Sequence, residues 1–248
     1  MFENLDLQGV IISYVALIFS LSVHEASHAT MAYALDDDTA ARLGRMTLNP
    51  LPHLDPIGTV LFPLINLSTG FPMIGWAKPV PVNGANFTRK VTLRGGHGLV
   101  AFAGPASNMV LAALAILALA LSIRFSIPET YLRNRIFETA ILGGPRRLSL
   151  LGLDSTSVAL MGIGGRMVIM NFGLAIFNLL PIGPLDGGWV LKAFLPYRAA
   201  QWMDHHAGTM YIALIILVFA GALGFILGPL YEVYILFLRW IAPFLLGL

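Results

Sequence analysis

Residues 98–123 carry no ionisable side chain at all. A backbone surrounded by hydrocarbon must satisfy its own hydrogen bonds, so a stretch of about 20 such residues crosses a bilayer as a helix. Comparable stretches cover about residues 7–35, 167–185 and 207–227. A last apolar segment follows a turn expected at Gly228 and Pro229 and runs to Leu248, interrupted by Glu232 and Arg239. Only 11% of the residues are charged and 57% are hydrophobic, whereas soluble domains are roughly one quarter charged. These features predict an all-α polytopic membrane protein of about five to six transmembrane helices, solvated by the lipid bilayer, in a single domain over residues 1–248. The net charge of +2 is too small to suggest a nucleic-acid partner.

Three regions break this pattern. Residues 56–72 are uncharged but short, and Gly58, Pro63 and Gly70 interrupt them. They read as a sixth crossing or, as the ligand topology below requires, a re-entrant segment, which is tolerated only where protein or a watery cavity covers the backbone. Residues 74–83 alternate with Pro79 and Pro81 and read as a short β-hairpin or edge strand. Residues 124–154 form a polar excursion with an amphipathic helix expected around residues 131–142. The acidic start, residues 1–6, lacks the basic region of a signal peptide, so the first apolar run reads as a retained span.

Inside that first span stands His24-Glu25-Ala26-Ser27-His28, an H-E-x-x-H pattern. Histidines at i and i+4 share a helix face, so both imidazoles can reach one zinc ion, and the glutamate beside them can take a proton from water. Two histidines and a carboxylate within a span are costly unless they are paired or hold a metal. The alternative is a set of polar residues that pack helices or line a proton path. The chain has no cysteine, so any metal must be held by histidine and carboxylate. A third protein ligand is then needed, with a position left for water. Asp186, within Asn178-Leu179-Leu180-Pro181-Ile182-Gly183-Pro184-Leu185-Asp186-Gly187-Gly188, is a candidate, although an aspartate in such a stretch can equally cap an ordinary turn.

Taken together, the two stretches resemble the site-2 protease family of intramembrane zinc metalloproteases (peptidase M50), which pairs an HExxH helix with a later N-x-x-P…L-D-G motif. Residues 49–59, 75–83 and 104–108 agree with the same family. The likeness runs from about residue 20 to 195 and corresponds to a minimal, core-only form: a catalytic core of about 7–200 and a C-terminal helical hairpin of about 205–248. It implies Zn2+ held by His24, His28 and Asp186, with Glu25 as general base. It places Asn108, Asn178 and His53 in motif positions as candidates for transition-state or substrate contacts. Interhelical hydrogen bonding is the plainer role for the two asparagines, and anchoring of a loop through Asp55 the plainer role for His53. Residues Gly75, Trp76, Ala77, Lys78, Pro79 and Val80 are the expected substrate-binding segment, as an edge on which an unwound substrate could pair. The implied partner is a single-span membrane protein, already trimmed by another protease in the family's usual pattern.

If His24, His28 and Asp186 meet at one metal, the two spans that carry them must run parallel, with residues 98–123 as the crossing between. Lys and Arg are more numerous on the zinc side, at positions such as Arg42, Arg45, Lys78, Arg89 and Lys90. By the positive-inside rule this predicts a multi-pass protein of a bacterial or archaeal cell membrane with the zinc site nearer the cytoplasmic face. A metal-ion or proton transporter using the same cluster is the competing reading, but transporters usually carry internal repeats and none is visible. An inactive scaffold is disfavoured by the intact Glu25. A reporter fused near Arg89 should be accessible from the cytoplasm, and labelling of that fusion only from outside would reverse the orientation.

Overall fold

The computed structural model describes residues 7–61 and 76–248. Its principal helices are α1 (Leu7–Ala34), α2 (Leu93–Ser126), α3 (Thr130–Glu138), α4 (Gly144–Ser149), α5 (Ser155–Asn178), α6 (Asp186–Phe194), α7 (Tyr197–His205), α8 (Ala207–Phe219) and α9 (Leu223–Leu246). Among the described residues, α1, α2, α5 and α9 are each long and apolar enough to cross a membrane. The α7–α8 pair, bent by 64°, makes a fifth if it counts as one broken span. Side chains at Ile11, Val15 and Phe19 are exposed although apolar, while Ala16, Ser20, Ala26 and Ala29 are buried. Small residues inward and large apolar residues outward is the arrangement expected of a helix that faces lipid.

The chain divides into two compact units. The first comprises residues 1–20, 109–173 and 228–248. Here Phe172 stacks on Tyr234 with ring centroids 3.5 Å apart, and the Asn171 amide donates to the Ser20 hydroxyl at 2.9 Å. Gly165 touches backbone: a Cβ there would stand 2.0 Å from the Ala140 carbonyl oxygen. The second unit comprises residues 21–108 and 174–227. Its packing includes a cluster of Ala32, Leu35 and Val100 against Met31, Val82, Phe87 and Val91.

Several boundaries differ from the sequence reading. The third span begins at Ser155, not near residue 167, because Asp154 caps it: its Oδ1 accepts the Thr156 and Ser157 amides, each at 3.0 Å. The Ser157 hydroxyl and these amides hold the Asp154 carboxyl below its ordinary pKa. The span ends at Asn178, so residues 179–185 are a loop. The turn expected at Gly228 and Pro229 lies instead at Gly221, whose φ of +69° suits glycine, and α9 runs through Pro229 and Pro243. Ala222 donates to Leu217 and Gly221 to Val218, closing α8 with a Schellman motif. The same motif ends α1, with Asp36 (φ +73°) in the glycine position and Asp37 donating to Ala32.

The expected β-hairpin is absent: no strand occurs among the described residues. Pro79 and Pro81 have no N–H, and the neighbouring groups are engaged elsewhere. Lys78 donates to the His53 carbonyl (2.9 Å), Val80 to Glu25 Oε2 (3.0 Å) and Asn83 to Asp37 Oδ2 (2.7 Å). Arg45 donates to the carbonyls of Lys78 and Pro79, and the Thr59 hydroxyl to that of Trp76. Burial alone would raise the Asp37 pKa, but donors on Thr39, Asn83 and Asn86 outweigh it and hold the carboxyl low. Of the expected re-entrant segment only Pro56–Leu61, a π-helical turn, is described; the rest, with Gly75, lies outside the described residues.

Replacing Gly165 with alanine should cost about 1–3 kcal/mol by overpacking against Ala140 and lower the melting temperature in detergent by roughly 3–10 °C. An unchanged melting curve would contradict this packing.

Candidate metal centre

The centre lies wholly in the second unit and starts from the i, i+4 spacing on α1. That spacing puts the His24 and His28 rings edge to face with centroids 4.6 Å apart. Each ring is then fixed at Nδ1 by an acceptor on α2. His24 Nδ1 lies 2.6 Å from Asn108 Oδ1, and His28 Nδ1 lies 2.7 Å from the Val100 carbonyl oxygen. A carbonyl oxygen only accepts, so both Nδ1 atoms carry the proton and both Nε2 atoms present a lone pair. This is the tautomer that a metal-binding histidine needs, held by the outer partners that such histidines usually have.

The third arm is Asp186, the first residue of α6 rather than the end of a span. The loop of residues 179–185 delivers it, and the glycines after it permit close approach. A Cβ on Gly187 would lie 2.3 Å from the Leu179 carbonyl oxygen, and one on Gly188 would lie 2.9 Å from the Gly183 nitrogen. Asp186 Oδ2 stands 3.1 Å from His24 Nε2 and 3.5 Å from His28 Nε2, while the two Nε2 atoms are 3.0 Å apart. Donors on one tetrahedral zinc with bonds of 2.0–2.1 Å are separated by about 3.3 Å. The triangle therefore fits zinc. Two lone pairs and a carboxylate pointed at one place also need a positive charge there, and Asp186 Oδ2 is buried without a hydrogen-bond partner.

His24, Glu25 and His28 also offer ligand atoms within 4.8 Å of one another. Glu25 differs from the other two in that its Oε2 accepts the Val80 N–H, which ties that oxygen to the Trp76–Asn83 segment. Close contacts to both imidazoles make the His24, His28 and Asp186 atoms the better zinc set. All four side chains line a cavity of about 940 Å3. The remaining wall is mainly apolar, with Leu174, Phe177, Leu214 and Phe219 among its residues. Trp76, Ala77, Pro79 and Val80 also line it; Lys78 does not.

The other expected site residues are placed differently. Asn178 lines the cavity, but its amide donates to the Leu174 carbonyl at 3.0 Å. His53 is buried away from the cavity, with Nε2 2.9 Å from the Thr47 carbonyl oxygen, and it anchors Lys78 through its own carbonyl. Gly104, quoted above only as part of a motif, has a direct role. A Cβ there would lie 2.5 Å from the His28 ring and 2.6 Å from the His24 ring. Its neighbour Pro105 cannot donate, which leaves the helix ladder open at the same turn.

Replacing Gly104 with alanine should displace both rings and weaken zinc affinity at least ~10-fold. Asn108→Ala should cost a similar ~10–100-fold by releasing the His24 tautomer. Chelator competition, with helical content followed by circular dichroism, measures both. Unchanged zinc affinity in each would remove α2 from the centre.

Residues 94–220 match the model of peptidase family M50, a region that includes Asn108, Asn178 and Asp186 but not the His24–His28 turn. The chain is 33% identical over 216 residues to YwhC of Bacillus subtilis, a protein named as a zinc metalloprotease, covering 87% of this chain and 84% of that one. It is 30% identical over 190 residues to Rip2 of Mycolicibacterium smegmatis, named in the same way, covering 75% of this chain and 59% of the relative. No solved structure matches it. The histidine–carboxylate triangle, the long apolar helices and these relatives lead to one identity: the chain belongs to peptidase family M50 and is a multi-pass membrane zinc metalloprotease.

Proposed function

We propose that this protein hydrolyses peptide bonds within the membrane, in or near the transmembrane helix of a single-span substrate, with zinc held by His24, His28 and Asp186 and with Glu25 as general base. The observation that carries the reading is the position of the triangle. His28 and His24 lie about 9 and 15 Å from the end of α1 at 1.5 Å per residue, inside a helix apolar enough to cross the bilayer. The cavity they face is largely apolar and roomy enough for several side chains of an unwound helix.

Held by His24, His28 and Asp186, zinc would supply Lewis acidity here, for acidifying water and polarising a carbonyl. The protein's own residues do the rest. Glu25, oriented by the Val80 amide, takes the proton of the attacking water and returns it to the leaving amine. Asn108 and Val100 keep the imidazoles in one tautomer through the cycle. Asn178, which lines the same cavity as Asp186, offers its amide to the developing oxyanion in this reading once its bond to Leu174 is given up. The apolar wall restricts water, and Trp76, Ala77, Pro79 and Val80 form the face against which an extended substrate lies. The same reading keeps the centre nearer the cytoplasmic face and takes a substrate already shortened by another protease.

Glu25→Gln keeps the shape of the side chain and an acceptor for Val80 but removes the base. Cleavage of a membrane-embedded single-span substrate in nanodiscs should fall by at least ~10³-fold at unchanged zinc content. Full activity of that variant would sink the mechanism. Cleavage of soluble peptides alone would reject the intramembrane reading.

A further inference from the structure

The first unit holds a second cavity, of about 660 Å3, between α5 and α9 beside the Thr139–Gly143 turn. Ile141, Leu142, Ile169 and Leu236 make its walls apolar, yet Arg166, Glu232 and Arg239 also line it. Arg239 is answered: its Nε donates to Glu138 at 3.1 Å. Arg166 is not. It is half-buried, its Nε is buried without a partner, and it makes no hydrogen bond or ion pair among the described residues. Its guanidinium is nonetheless held in place. It occupies the space left by Gly144 (φ +72°), where a Cβ would stand 2.6 Å from Nη2.

An unpaired guanidinium on a membrane-spanning helix costs several kcal/mol, so a partner is expected by physical necessity. Glu232 does not serve, since it forms no ion pair with Arg166 and its side chain is exposed. Depth narrows the choice. Arg166 lies about 16 Å along α5 from Ser155, and helical side chains lean towards the N-terminus, which brings the guanidinium within about 10 Å of the start of the helix. Polar structure lines the same end of the unit. Glu138 closes α3, and Arg133 on that helix donates to the Leu246 carbonyl at the end of α9. Two arginines over an apolar floor at this depth match the chemistry of basic pockets between membrane helices that take lipid head groups. A planar guanidinium suits phosphate oxygens in particular, through paired parallel hydrogen bonds.

We infer that the Arg166–Arg239 cavity binds a phosphate group, with Arg166 as its main ligand. The apolar walls suit the phosphate of a phospholipid, whose chains would lie along Leu142 and Leu236. Glu232, on the same cavity, opposes the anion and limits its affinity.

Native mass spectrometry of the full chain in detergent, with added phosphatidylglycerol, reads the site. Wild type should retain a lipid, Arg166→Gln about fivefold less, and Glu232→Gln no less than wild type. If Arg166→Gln does not fold, Arg166→Lys keeps the charge but loses the fork, and it should still retain several-fold less. Inorganic phosphate as competitor separates the sources: displacement assigns a free anion, and resistance assigns the lipid head group. Equal retention by wild type and the Arg166 variants would overturn the inference. Equal losses in Arg166→Gln and Glu232→Gln would overturn it too, since these two side chains would then serve each other.

Discussion

Two imidazole nitrogens 3.0 Å apart, each with its lone pair turned inward and a carboxylate oxygen closing the triangle, repel one another unless positive charge satisfies them. Much of the second unit can be read as what it takes to hold that arrangement in apolar surroundings. α1 supplies the rings at one-turn spacing. α2 supplies the two acceptors that fix their protons, together with a glycine where any side chain would strike both rings. The loop before α6 supplies the carboxylate, and its glycines let the backbone fold close enough to deliver it. A buried cluster of this kind is destabilising without its cation, so zinc and the local packing are linked.

A second dependence runs through a segment with no regular structure. Residues 76–83 are held by Arg45, Asp37, Thr59 and the His53 carbonyl, and the outcome is a single backbone N–H aimed at Glu25. Side-chain and loop contacts do here what a sheet ladder does elsewhere, and they do it where two prolines make a ladder impossible. The Glu25 carboxylate is thereby oriented by groups far from it in sequence. Arg45 and Asp37 are both buried, which a charged residue tolerates only with several good partners.

Asn171, Arg239 and Arg166, polar side chains on the long helices of the first unit, follow the same rule with one exception. Asn171 has Ser20 and a backbone carbonyl, and Arg239 has Glu138. Arg166 alone among these has a fitted place and no protein partner among the described residues, and that imbalance points to a ligand.

The sequence by itself determined what depends on local spacing and on solvent. The apolar runs required membrane helices, and His24 and His28 four residues apart required a shared face. The absence of cysteine restricted the metal donors to histidine and carboxylate. It misjudged ends: Asp154 as a cap and Gly221 as the turn were present in the chain but weaker signals than the hydropathy around them. The sequence also read residues 74–83 as a strand, because alternation with prolines looks like an edge when the partners of its N–H groups are unknown. Only the tertiary structure decided those partners. It put Val80 on Glu25 and took His53 away from the cavity. It also placed Gly104 beneath the rings and left Arg166 facing a cavity. Each depends on contacts between residues distant in the chain, which no local period encodes.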